Sequence, residues 1–194
     1  MVRAQYPVVM TEPATPAQVY DDLALGYDDM YASQECIDED QLLAHLLLPL
    51  VQDADLIIDV GCGTGLALDL WTIEPGHYVG VDPSARMVGV AKEKHPQHLF
   101  EVSTFEPWTR LQTNDLVLGL YGVGSYLNDD QLRQIIRGPH ALMFYAEGYL
   151  PAYYRDGREP FLGRQGLPEA LRGHEHVEPF GAHGQYLLAS RAVA

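Results

Sequence analysis

The seven residues Asp59-Val60-Gly61-Cys62-Gly63-Thr64-Gly65 constrain this chain more than any other stretch. They continue the short apolar run at 56–60, which reads as a strand buried on both faces. They lead into an apolar-periodic stretch at 66–71, which reads as a helix. Glycine lets the backbone turn tightly and approach a ligand without a Cβ in the way. The helix that follows offers unpaired backbone N–H groups. A ligand rich in acceptors or negative charge is stabilised there. A plain strand-to-helix turn needs one glycine, so three of them point to a ligand.

Spacing narrows the ligand. The dinucleotide fingerprint is G-x-G-x-x-G. Counted from Gly61, its third glycine would fall on Leu66, whereas here it comes one residue early, at Gly65. No Gly-Lys-Ser/Thr follows, which excludes a P-loop. A second apolar run at 77–81 ends in Asp82-Pro83-Ser84. An acid at the end of a second strand can accept both hydroxyls of a ribose. With Asp59 and Asp82 flanking the loop, the pocket favours a cationic or hydroxyl-rich ligand over a pyrophosphate.

The rest of the chain fits an α/β sandwich. Strand patterns at 56–60, 77–81, 99–102, 115–120 and 141–146 alternate with helical patterns at 66–71, 84–94 and 129–137. That alternation predicts a parallel sheet covered on both faces. Two helices are expected earlier, one from Val19 to near Gly26 and one over 38–48, ended by Pro49. After the fifth strand, 174–180 and 185–192 flank Gly181-Ala182-His183-Gly184, an antiparallel hairpin signal. Residues 1–16 carry three prolines and read as a loose leader. Residues 17–194 read as one domain, with 151–172 as a possible lid or substrate loop.

Composition removes several function classes. The chain has 194 residues with 12 Lys+Arg against 27 Asp+Glu, a net charge of −15. That charge opposes broad contact with a phosphate backbone, so nucleic acid is an unfavoured partner. No apolar run approaches the ~18 residues of a membrane span. The first 16 residues lack the apolar core of a secretory signal. Two cysteines make no disulfide framework and suit a reducing, cytoplasmic setting.

The pairing of Asp59–Gly65 with Asp82 resembles the class I S-adenosylmethionine-dependent methyltransferases, whose first strand and loop read roughly D-x-G-x-G-x-G. The tract 19–28, with Tyr20 and Tyr27, is similar to the family's N-terminal Tyr-Asp helix over the cofactor. The tract 115–120 is similar to its fourth strand. Arg137-Gly138-Pro139-His140 is similar to a degraded Lys-Pro-Gly-Gly turn. The resemblance spans about residues 17–147. It implies a Rossmann-like three-layer sandwich, mostly parallel, ending in an antiparallel hairpin. It also implies S-adenosylmethionine as cofactor and S-adenosylhomocysteine as product. Cofactor contacts are expected from Tyr20, Tyr27, Asp59, Gly61, Cys62, Gly63, Gly65, Asp82, Pro83, Met87 and Leu120. The family often carries an acid after its third strand, for adenine. This chain has Glu101-Val102-Ser103-Thr104-Phe105, which leaves Thr104 and Phe105 as the adenine candidates.

A sulfonium already activates its methyl group, so the protein's task is to hold a nucleophile in line, about 3 Å away. A general base is needed only for an acceptor protonated at neutral pH. Tyr121 and Tyr126 after the fourth strand, and Glu147 after the fifth, are the catalytic candidates by position. The expected substrate is a small molecule, and the chain a monomer or homodimer. Two alternatives stay open: a protein or nucleic-acid methyltransferase, and a non-catalytic cofactor-binding subunit. No N/D-P-P-Y/F tetrad follows the fourth strand, which counts against amino-methylation of nucleic acid. Three further features have structural readings. Cys62 lacks a C-x-x-C partner and reads as a small buried side chain. His174 and His176 read as a solvated strand face, so no metal is expected. The acid pairs Asp21-Asp22 and Asp28-Asp29 read as solvated helix faces.

Overall fold

Seven strands form one sheet in the order β3-β2-β1-β4-β5-β7-β6. They are β1 (Leu56–Val60), β2 (Tyr78–Asp82), β3 (Leu99–Val102), β4 (Asp115–Gly119), β5 (His140–Tyr145), β6 (Val177–Phe180) and β7 (Gln185–Ser190). The computed structural model describes residues 15–106, 110–149, 163–171, 177–181 and 185–190. β1 to β5 pair in parallel. β7 runs antiparallel to both β5 and β6. The architecture is therefore the expected Rossmann-like α/β sandwich with an antiparallel close.

Alternation along the central strands sends side chains to two apolar layers. Ile57, Leu116, Leu118, Ala141 and Met143 face one cluster, with α2 (Gln34–Gln52), α3 (Leu66–Leu70) and α4 (Ala85–Lys94). Ile58, Val60, Val117, Leu142 and Phe144 face the other, with Leu132 and Ile135 of α5 (Asp129–Ile135). Every residue of β4 and β5 is buried, as a strand covered on both faces requires.

Several boundaries differ from expectation. α2 runs through Pro49 to Gln52 instead of ending there. Ser33 caps it by accepting the Cys36 N–H at 3.3 Å. Leu43, Leu47 and Val51 are all buried, so the apolar stripe continues past the proline and outweighs the local cost. The helix starts at Gln34, four residues before its expected start, so Asp38, Glu39 and Asp40 fall in its second turn. β2 starts at Tyr78 and β5 at His140, each one residue from its expected start. Glycine at 181, with φ +66°, supports the hairpin turn after β6. Most of the expected lid, together with His174 and His176, lies outside the described residues. Among the described residues, no helix is long and apolar enough to cross a membrane.

Candidate functional site

The glycine loop leaves the carboxyl end of β1 with Gly61, Gly63 and Gly65 all left-handed, at φ +64°, +53° and +94°. Its backbone is tied to β2. The Gly61 and Cys62 N–H groups donate to the Val81 carbonyl at 2.7 and 3.2 Å, and Gly65 N–H closes onto Cys62 O at 2.9 Å. The three glycines have different surroundings. A Cβ on Gly61 would lie 2.6 Å from Val123, and one on Gly65 would lie 2.8 Å from the His95 ring. A Cβ on Gly63 would meet nothing within 4 Å. Gly63 therefore opens onto space at the tip of the loop.

Asp82 reaches this tip from the end of β2. Its Oδ2 accepts the Gly63 N–H at 2.9 Å and its Oδ1 the Ser84 N–H at 2.8 Å. Each carboxylate oxygen keeps a further lone pair for a ligand hydroxyl. Burial pushes the Asp82 carboxyl above the usual range, against these two hydrogen bonds. Asp59 lies deeper, only 3 % exposed. It accepts the Tyr78 hydroxyl at 2.7 Å. Burial, with the Asp82 charge adding, pushes its carboxyl up to about 7. Cys62 packs under Gly80, and burial pushes its thiol well up, away from the thiolate.

The N-terminal segment comprises α1 (Pro16–Leu23) and the 3₁₀ turns Ala24–Gly26 and Asp28–Tyr31. Its acids are not free helix faces. Asp21 accepts from Ser84 Oγ at 2.6 Å and from the Arg86 N–H at 3.0 Å, at the N-terminus of α4. The Ser84 bond, then the Arg86 N–H, hold its carboxyl below the usual range. Asp28 accepts from Thr64 Oγ1 at 2.5 Å and from Lys94 Nζ at 2.8 Å. Burial works against the Asp28 charge, but Lys94 and Thr64 outweigh it and hold the carboxyl low. Asp21 and Asp28 thus strap this segment to the first turn of α4 and to the glycine loop. The sequence pattern alone treats them as surface charge, because their partners lie 36 to 66 positions away. Asp22 and Asp29 are exposed, as expected.

The other expected residues divide between this end of the sheet and the core. Tyr20 and Tyr27 are half-buried on the N-terminal segment, with ring centroids 6.1 Å apart. Pro83 is exposed beside Asp82. Met87 is 1 % exposed and Leu120 7 %, both packed inward. Thr104 is exposed and donates to Glu106 at 2.9 Å. The Phe105 ring is 3 % exposed, inside the second apolar cluster with Val60 and Leu132.

Tyr121 follows β4 with φ +46°, the one non-glycine left-handed residue among those described. Such a conformation costs energy for a bulky side chain and concentrates at functional sites. Its hydroxyl donates to Asp40 on α2, a residue the sequence did not single out. Burial, then this bond, raises the Tyr121 phenol, and burial raises the Asp40 carboxyl against it. The Tyr145 hydroxyl donates to Tyr121 O at 3.1 Å, tying the ends of β4 and β5 together. Tyr126 meets Tyr20, with hydroxyl oxygens 3.4 Å apart. Glu147 is exposed beyond β5. His140 sits at the opposite end of the strands, at the start of β5, bonded to Gly138 O at 2.8 Å.

These residues fit the expected cofactor. Open space over a left-handed Gly63 admits a ligand's close approach, and Asp82 beside it carries spare acceptors for two hydroxyls. The comparisons agree. Residues 57–143 match a family model described as "Methyltransferase domain". The structure is similar to magnesium protoporphyrin IX methyltransferase from Synechocystis PCC 6803 with bound SAH. That match has TM-score 0.57 and 16% identity, over 91% of this chain and 99% of that one. It is similar to a structure of the Haloferax volcanii Trm112 methyltransferase activator with a putative methyltransferase. There the TM-score is 0.60 and identity 15%, over 90% of this chain and 98% of that one. Streptomyces venezuelae DesVI matches at 22% identity and TM-score 0.44, with the chain covering 71% of its own length and 61% of that protein's. No curated protein matches significantly. Loop, placed acid and strand order accord with the match of residues 57–143, a little under half of the chain, to a methyltransferase-domain model.

Proposed function

We propose that this protein transfers a methyl group from S-adenosylmethionine to a small-molecule acceptor seated over the ends of β4 and β5. The observation that carries this is the Gly63 tip with Asp82 beside it. Asp82 would hold the ribose hydroxyls, and Gly61, Cys62, Gly63 and Gly65 would let the backbone approach the cofactor. Tyr20, Tyr27, Pro83, Met87, Leu120 and Thr104 are the surrounding contacts.

The bound cofactor supplies a methyl group already activated by its sulfonium. The chain's work is then to bind, orient and exclude water. Orientation of this kind contributes roughly 7–11 kcal/mol. The N-terminal segment, held by Asp21 and Asp28, closes the cleft from above. Tyr121 and Tyr126 stand where an acceptor would lie, and the Tyr121–Asp40 pair offers a hydroxyl with a carboxylate behind it. A proton leaving the acceptor would pass to such a pair. An exposed Glu147 could steer the acceptor's polar end.

The −15 charge supports a small molecule over nucleic acid. The test is transfer of a labelled methyl group to a panel of small amines, alcohols and carboxylic acids, run beside total protein and RNA. Label in a small molecule supports the proposal. Label only in protein or RNA overturns it.

A further inference from the structure

The ends of β4 and β5 carry an unusual density of phenol rings. Tyr20, Tyr27 and Tyr31 come from the N-terminal segment, Tyr126 from the turn after β4, and Tyr149 from beyond β5. Ring centroids lie 6.1 Å apart for Tyr20 and Tyr27, 6.4 Å for Tyr20 and Tyr126, and 5.2 Å for Tyr27 and Tyr31. Tyr149 stacks on Tyr145 at 5.5 Å. The groups join into one cluster, since the Tyr27 phenol feels Tyr145 and Tyr126, and Tyr31 feels Tyr149. Tyr20, Tyr27, Tyr126 and Tyr149 are half-buried and Tyr31 is 40% exposed. A sealed core would fill such a space with phenylalanine or leucine, so rings left half-open at a strand end are wall, not filling.

Aromatic faces carry negative potential and attract cations. The carboxylates here have the same sign. Asp40 stands behind Tyr121 on α2, and Glu147 is exposed at the end of β5. Among the described residues, the basic side chains near this end are committed elsewhere: Lys94 to Asp28 and Asp69, Arg86 to Asp22 and the Asp21 carbonyl, and Arg164 to Asp129. A cation is therefore the ligand this wall stabilises, and an anion the one it repels.

Resting on the methyl-transfer reading above, we propose that the acceptor is an amine bound as its protonated cation against the Tyr27, Tyr126 and Tyr149 rings; it gives its proton to the Tyr121–Asp40 pair, and the freed nitrogen lone pair then takes the methyl group as the sulfonium's carbon–sulfur bond breaks to leave S-adenosylhomocysteine. Three probes of one shape test it: tetramethylammonium, neutral neopentyl alcohol and anionic pivalate. Each is titrated by calorimetry into the full chain saturated with S-adenosylhomocysteine. The product's own binding is measured first, so failure there counts against the cofactor reading and not against this one; the probes are then titrated into the ligand-free chain. Tetramethylammonium should bind at least tenfold tighter than the other two. Tyr126→Ala should weaken it roughly tenfold, while Tyr126→Phe, which keeps the ring face, should hold within about twofold. Asp40→Asn gives a second variant that leaves every ring in place, and it should weaken the cation and not the alcohol. Equal binding of the alcohol, tighter binding of pivalate, or cation binding unchanged in Tyr126→Ala and Asp40→Asn would overturn the proposal.

Discussion

Gly61 and Gly63 share a left-handed backbone, yet substitution should separate them. Alanine at either position pays roughly 1–2 kcal/mol for that backbone. At Gly61 the new methyl also strikes Val123 at 2.6 Å, adding about 1–3 kcal/mol of overpacking. At Gly63 it enters open space. Gly61→Ala should therefore lower stability markedly. Gly63→Ala should stay folded and lose S-adenosylhomocysteine affinity, because its methyl fills the space a ligand needs. Denaturation midpoints and calorimetry on the two variants check this. Asp59 gives a residue-scale test in pH. Its folded carboxyl is protonated up to about 7, whereas an unfolded aspartate ionises near 3.9. Between those values the folded chain binds the extra proton, so this group's contribution is full below about 4 and is lost as pH rises through 7. Asp59→Asn removes that titration and can still accept from Tyr78. Its unfolding free energy relative to the parent should rise between pH 5 and 8, by an amount on the order of 2 kcal/mol, read from denaturant midpoints across that range. A flat difference would show that Asp59 is ionised in the folded state.

At the scale of elements, the N-terminal segment depends on a few long-range polar contacts. None of the residues of α1 is fully buried. Thr15 caps α1 with a reciprocal Gln18 bond, which starts the helix without anchoring it. Anchoring comes from Asp21 on α4 and from Asp28 on Thr64 and Lys94. Asp28 and Lys94 are partly exposed, so their ion pair contributes only ~0–1 kcal/mol. Thr64 is 4 % exposed, and leaving its hydroxyl unpaired costs more, about 1–3 kcal/mol. Asp28→Ala should therefore release this segment without unfolding the sheet. Amide exchange over 16–31 should quicken roughly tenfold while β1 and β4 stay protected. Uniformly faster exchange would instead mark Asp28 as part of the global fold. The sheet itself was readable in the sequence because buried parallel strands are apolar runs punctuated by glycine and asparagine. The strap was not readable, because a bonded aspartate and a solvated one look alike in composition. α2 was misjudged for a related reason: Pro49 is a strong local signal, and only the buried Leu43, Leu47 and Val51 show that tertiary packing overrides it.

For the whole molecule, the charge of −15 and the length of 194 residues now bear on the site. The glycine loop was legible because a left-handed backbone leaves glycines in the sequence. The acceptor half was not, since Asp40, Tyr121 and Tyr145 meet only through the fold. Cofactor binding should be visible in global stability, because the loop, α4 and the N-terminal segment all close on one cleft. A ligand at 100 times its dissociation constant stabilises the folded state by about 2.7 kcal/mol. For a chain of this size each kcal/mol moves the melting point by about 2–4 °C, so S-adenosylhomocysteine should raise it by roughly 5–10 °C. Asp82→Ala loses charged hydrogen bonds to the ribose that are together worth about 1.5–3 kcal/mol. At the same ligand concentration its shift should be about half that size or less. Because Asp82 also braces Gly63 and Ser84, the unliganded variant should melt lower as well, and only the ligand-induced shift tests the site. A full shift in the variant would mean that the ribose is held elsewhere and that Asp82 serves the loop alone.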